Sequence, residues 1–416
     1  MAPDNNDFSP RVGLAYSPTG RWTFRTGFGV FYARDIGNTV FDMARNLGGR
    51  GQFAANTEIP NSPIEDPWGS LRGVASCSGW SGLCSVQPQI FTQPYNTRTP
   101  YVLEWLLNIQ RQLSQNILLE VSYQGSESHK LQGQRYYNQA VPRAGLADAS
   151  APAQRRPWPS LGVLALYESG FNSDYNALSG KLQQRLTKGL TYLVAYTWSK
   201  SIDDGGGPRP SGGDPLHVRN EYNLHANRGL SAFDPGRRFV TSLVYELPFG
   251  PGKSLGSRLG PLSHVIGGWQ IGSIVTFADG LPTDVGTIGD SLNLGSSSGN
   301  YPNATGISPF IANPTRTRFW NVAAFDATSP SLSLLFGNAG RNTLRTPGRQ
   351  NWDASVARNF RILEGHSLQF RFEAFNLTNH PNWNTPSANA QTPATFGVVT
   401  SAKTMRQMQV ALKYSF

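Results

Sequence analysis

The chain ends RQMQVALKYSF, residues 406–416. Met408, Val410, Leu412, Tyr414 and Phe416 are apolar, while Gln407, Gln409, Ala411, Lys413 and Ser415 between them are polar or small. This strict period of two marks a strand with one apolar and one wet face. The stretch stops in the apolar phase, on an aromatic. Soluble domains usually leave polar residues beyond their last strand. The closing strand of a membrane barrel instead places aromatics at the membrane interface. The expectation is a transmembrane β-strand, with those five apolar residues as the terminal strand on which a barrel assembles.

Moving back along the chain, the same alternation recurs. Leu368, Phe370, Phe372 and Ala374 oppose Gln369, Arg371 and Glu373, and Glu364-Gly365 turns into them from Trp352, Ala354, Val356 and Phe360, which oppose Asp353 and Ser355. Further back, Trp269, Ile271, Val275 and Phe277 follow Phe239, Thr241, Leu243, Tyr245 and Leu247 across a medium connection at 248–266. Leu190, Tyr192, Val194, Tyr196 and Trp198 return from Leu178, Leu182 and Leu186 through Thr187-Lys188-Gly189. Ile117, Leu119, Val121 and Tyr123 follow Tyr101, Leu103, Trp105, Leu107 and Ile109. Val12, Leu14 and Tyr16 precede Pro18-Thr19-Gly20 and then Trp22, Phe24, Phe28, Val30 and Tyr32.

These are about eleven strands, and their connections alternate short and long throughout. The long ones span 33–98, 127–171, 200–236, roughly 279–349 and a last stretch from Asn379. With Phe416 at the periplasmic rim, every short connection falls on that side and every long one outside. A sandwich has no reason to keep loop length in phase with strand direction. The reading is all-β: an antiparallel up-and-down transmembrane β-barrel. Because single-chain bacterial barrels have an even strand number, about eleven strands point to further strands before these. The opening residues also lack the basic and apolar regions of a signal peptide, so the expectation is a C-terminal fragment.

Composition agrees. The 416 residues include 44 Gly, 29 Pro, 22 Phe, 15 Tyr and 10 Trp, but only 15% are charged. No apolar run reaches the roughly 18 residues of a membrane-spanning helix. The net charge is +10, yet Lys and Arg are scattered and form no basic run, so no nucleic-acid partner is expected. Cys77 and Cys84 lie in the first long connection. Their spacing allows a disulfide ring worth roughly 2–3 kcal/mol in the loop-closure model.

Several segments resemble the C-terminal half of TonB-dependent outer-membrane receptors, most closely the Oar-like subgroup. They are YNALSGKLQQRLTKGLTYLVAYTWSKSIDD (175–204), NRGLSAFDPGRRFVTSLVYELPFG (227–250), GGWQIGSIVTFADGLP (267–282), FRFEAFNLTNHPNW (370–383) and ALKYSF (411–416). One departure is that members often carry His where Arg237 stands. The resemblance implies that residues 1–416 form one receptor-like barrel domain, the second half of a 22-stranded barrel whose bore holds a plug. It also implies a place in the outer membrane of a Gram-negative-type bacterium, and TonB-energised uptake or surface binding of an unnamed substrate. The implied partners are outer-membrane lipid, the N-terminal half-barrel and plug, and TonB through that N-terminal part.

The charges opposite the apolar face are Arg25, Glu104, Glu120, Lys181, Arg185, Glu246, Asp353, Arg371, Glu373 and Lys413. In a bilayer they must face a wet lumen. Catalytic, cofactor and metal sites are not expected. His217, Glu221 and His225 have helical ligand spacing, but Asn220, Asn223, Asn227 and Gly229 make a poor helix. No G-x-S-x-G elbow or phosphate loop occurs. The alternatives are a soluble secreted β-sandwich that binds a ligand, which would bury Phe24, Trp105, Tyr196 and Phe372 between two sheets, and an outer-membrane hydrolase barrel.

Overall fold

The computed structural model describes residues 4–33, 90–142, 152–159, 164–205, 218–256, 260–287, 300–327 and 336–416, with single positions 43, 292 and 294. Eleven principal strands run in chain order: β1 (Arg11–Thr19), β2 (Trp22–Tyr32), β3 (Tyr101–Ser114), β4 (Ile117–Tyr136), β5 (Leu164–Thr187), β6 (Leu190–Asp203), β7 (Arg237–Glu246), β8 (Trp269–Ala278), β9 (Arg349–Leu363), β10 (His366–Phe375) and β11 (Gln407–Ser415). Each pairs antiparallel with its sequence neighbour in one sheet. Two short strands extend it, Ile90–Thr92 parallel to β5 and Gly229–Leu230 against β6. The other sheets among the described residues have two short strands each. No second large sheet covers this one there, and the sandwich arrangement is not found. Tyr196 is 44% exposed, and Phe24, Trp105 and Phe372 are half-buried.

The register carries one face across the whole sheet. Partners in a ladder share a face, and Tyr16 pairs with Phe24, Phe24 with Ile109, Ile109 with Val121 and Val121 with Gly180. Gly180 pairs with Tyr196, Tyr196 with Phe239 and Phe239 with Phe277. Val356 pairs with Phe372, and Phe372 with Val410. A slip of one residue anywhere would turn a strand's apolar set to the other side. At the β5–β6 turn, Lys188 (φ 52°) and Gly189 (φ 82°) both lie in the left-handed region, as a two-residue hairpin demands. A Cβ on Gly189 would stand 2.8 Å from the Glu246 carbonyl oxygen.

Three expectations change. The second long connection is shorter than 127–171, because β4 and β5 run to 20 and 24 residues. Irregular pairing at Ser128–Leu131 and Leu131–Gln132 breaks the alternation while the ladder continues. A bilayer needs only about 9–11 tilted residues of strand, so this hairpin stands far beyond the apolar band. Second, 279–349 is not structureless. Its short strands Pro282–Thr283, Phe310–Thr315, Arg318–Trp320 and Leu344–Arg345 help build a packed cap. Val285, Tyr301, Trp320, Leu344 and Phe396 form its core, and the Trp320 indole N–H donates to the Arg345 carbonyl at 3.0 Å. Third, Phe416 follows the last strand residue, Ser415, and is 91% exposed.

The sheet is open. Among the described residues β1 pairs only with β2, and β11 only with β10. Cys77 and Cys84 lie outside the described residues.

Candidate functional site

The ten charges predicted for a lumen share one face by register. Arg25 pairs with Asn108, Glu104 with Gly29 and Ser126, and Glu120 with Gln110 and Lys181. Glu246 pairs with Gln270, Asp353 with Ile274, Glu373 with Ser355, Arg371 with Ala357, and Lys413 with Gln369. Arg185 follows Gln183 in the same phase and, with Gln110 and Gln112, lines a rim concavity of about 270 Å³. Mixed signs allow these groups to answer one another. The Gln110 side chain donates to Glu120 at 2.9 Å, and Lys181 Nζ stands 3.8 Å from the same carboxylate. Arg371 and Gln409 both hold Glu373, Lys253 reaches Glu246 at 3.4 Å, and the Asn376 amide donates to Asp353 at 2.8 Å. The face is not uniformly polar. Leu193, Val240, Val244 and Ile274 share its phase, an apolar swath across β6–β8 that the sequence reading did not single out.

Above the strands, ion pairs bind the long connections to the sheet and to one another. Arg135 holds Glu168 and Glu221, Arg219 holds Asp284 at 2.9 Å, and Arg341 holds Asp203. Arg345 reaches Asp234 at 2.7 Å, and Arg228 bridges Asp174 and Asp204. Burial pushes the Glu221 carboxyl above its ordinary range, against the pull of Arg135. Arg135 thus holds Glu221 through one carboxylate oxygen. His217 lies outside the described residues, and His225 sits in a one-turn 3₁₀ segment, Leu224–Asn227. No cluster of three or more metal-ligating side chains occurs among the described residues. These ties were not legible beforehand, because their partners lie as far apart as 138 residues.

At the junction of sheet and cap lies a cavity of about 510 Å³ lined by Arg238, Arg349, Lys403, Asp279, Thr276 and Trp383, among others. Arg238 and Arg349 each pair with Ala278 from opposite sides, so both stand in the wet phase at one level. Arg237, the departure from the resembling family, faces the other way and clasps Asp279 at 2.8 Å and 3.2 Å.

A protein-family model described as "Outer membrane beta barrel domain" matches residues 1–409. The chain belongs to this outer-membrane β-barrel family. The apolar face of the sheet is therefore its lipid face, and the protein is placed in a Gram-negative outer membrane. The family is one of barrel domains. Among solved structures, the chain is similar to the outer membrane transporter YddB from Escherichia coli, at 10% identity over 95% of this chain and 38% of that one, with a TM-score of 0.48. It is also similar to the ferric citrate transporter FecA, at 10% identity over 98% and 38%, with a TM-score of 0.42. The ferripyoverdine receptor of Pseudomonas aeruginosa gives 9% identity over 98% and 32%, and a TM-score of 0.42. The outer-membrane barrel spans less than two fifths of the length of each of these structures. No curated protein matches it.

Proposed function

We propose that this barrel belongs to an outer-membrane receptor, of the Oar-like kind, that captures a substrate outside the cell and admits it through the bore in a TonB-energised step. The observation that carries the reading is the wet face. Ten charges of both signs share it across the sheet, where hydrocarbon would be costly for each of them, and they line a path from the capped outer mouth to the periplasmic turns. In this reading the two open edges are completed by further strands of the same barrel, and the bore by a plug through which TonB acts. Met408, Val410, Leu412 and Tyr414 present the strand on which assembly registers, with Phe416 as the aromatic just beyond its end.

Expression in a Gram-negative host, together with the strands that complete the barrel, tests the reading. Protease added to intact cells is expected to cut within 204–236 or 376–406 and to spare the turns at 188–189 and 364–365 unless the outer membrane is opened. Cleavage of the short turns in intact cells, or recovery in the soluble fraction, would overturn the reading.

A further inference from the structure

We propose that the cavity at the outer mouth is a binding site for a ring-bearing oxyanion, a sugar or aryl ligand carrying two or more carboxylate or phosphate groups. The proposal rests on the receptor reading and names the substrate class for it. Arg238 and Arg349 flank Ala278 on adjacent strands in the wet phase. Strand spacing of about 4.8 Å puts their backbones roughly 10 Å apart, and the small Ala278 leaves the space between them clear. Lys403 joins the same lining from the last long connection. Arg238, Arg349 and Lys403 are all exposed, and none has an ion-pair partner among the described residues. That sets them apart from the arginines nearby, since Arg219, Arg228, Arg237, Arg341 and Arg345 each hold a carboxylate. Asp279, the acid on the lining, is already held by Arg237 through two side-chain bonds and the backbone amide. The cavity thus presents three uncommitted cations.

The remaining walls suit a ring. Trp383 lies on the lining and is fixed edge-on to Phe319, centroids 6.3 Å apart. Thr276, Thr283, Asn384 and Thr385 add hydroxyl and amide groups. The frame is held by the Gln350–Asn382 pair, in which amide and carbonyl both bond the Asn382 side chain at 2.8 Å, and by the close approach of Gly280 to Thr346. A planar guanidinium on each side matches the two-oxygen edge of a carboxylate or phosphate.

Outer membranes carrying the barrel completed by its further strands are titrated with fluorescent trigalacturonate, with fructose 1,6-bisphosphate as competitor and maltotriose as the uncharged control. Trigalacturonate is expected to bind and maltotriose not to. Arg238→Gln and Arg349→Gln are each expected to weaken binding at least tenfold, raised salt to weaken it further, and Arg21→Gln at the opposite rim to leave it unchanged. Displacement by the bisphosphate assigns the site to phosphates as well, and lack of displacement restricts it to carboxylates. Equal binding of maltotriose, no binding of either anion, or Arg238→Gln and Arg349→Gln variants that bind like the parent would overturn the proposal. Labelling of a Thr385→Cys variant by an impermeant maleimide on intact cells, above that of the parent, separates the two failures. Labelling without binding rejects the ligand class alone, and absence of labelling rejects the receptor reading beneath it.

Discussion

Asp203 and Arg341 have side chains only 4% and 1% exposed, and each answers the charge of the other. Removing one partner strands a buried charge, at a cost of roughly 3–5 kcal/mol, whereas replacing both with apolar residues of similar volume is often neutral. Arg341→Ala is therefore expected to lower sharply the temperature at which the cap becomes protease-sensitive, and Asp203→Leu/Arg341→Met to recover most of the loss. A single variant as resistant as the parent would show that the pair does not anchor the cap. Glu221 makes a second residue-scale case, with the opposite sign from a typical salt-bridged acid. Its folded pKa lies above the ordinary value because burial outweighs Arg135. The folded state thus holds this proton longer than the unfolded chain does, and stability is lost as pH rises through the folded pKa. The parent's stability relative to Glu221→Gln is expected to improve as pH is lowered from 7 towards the ordinary carboxylate range. A constant or shrinking advantage, measured by thermal melts at each pH, would contradict that sign.

Strands and loops differ in how far their residues announced them. Strands β9, β10 and β11 were legible because lipid on one side and water on the other impose a period of two, and the ladder from Phe360–Leu368 to Phe372–Val410 keeps it. The upper halves of β4 and β5 were not, because irregular pairing around Leu131 and the positive φ of Lys130 break the period without ending the strands. The cap was illegible for another reason. Val285, Tyr301, Trp320, Leu344 and Phe396 pack from scattered positions, and no repeat in sequence forecasts a core assembled by loop folding. The shared phase of the charges from Arg25 to Lys413 was readable. The mouth cavity was not, since Lys403 arrives from a distant connection. One glycine tests the cap as an element. A Cβ on Gly280 would lie 1.5 Å from the Thr346 carbonyl oxygen, so Gly280→Ala must push apart the segments that carry the Pro282–Arg345 pairing. Overpacking of this kind costs about 1–3 kcal/mol or more. The variant is expected to assemble in the membrane but to show early proteolysis within 280–346, and unchanged proteolysis there would refute the close approach.

For the whole molecule the open sheet decides behaviour. The outer edges of β1 and β11 have no strand beside them among the described residues. On β11 the lipid-phase residues are bare, with Val410 64% and Leu412 68% exposed. In hydrocarbon each unsatisfied backbone group costs several kcal/mol, so an open edge does not persist there. In water the same edge offers a template for another chain, and the apolar face adds its own drive to associate. Residues 1–416 produced as an isolated polypeptide are therefore expected not to be a stable monomer in either phase. They should collect in inclusion bodies, or pair with a second copy when refolded in detergent. Added strands that satisfy both edges should convert them to a discrete species. Light scattering after gel filtration in detergent reads the mass, and semi-native electrophoresis reads closure through a mobility shift on heating. A heat-modifiable monomer of residues 1–416 would mean that β1 and β11 can meet and shut a smaller barrel. The open sheet would then be one of two accessible forms, and the bore would be too narrow for the plugged receptor proposed above.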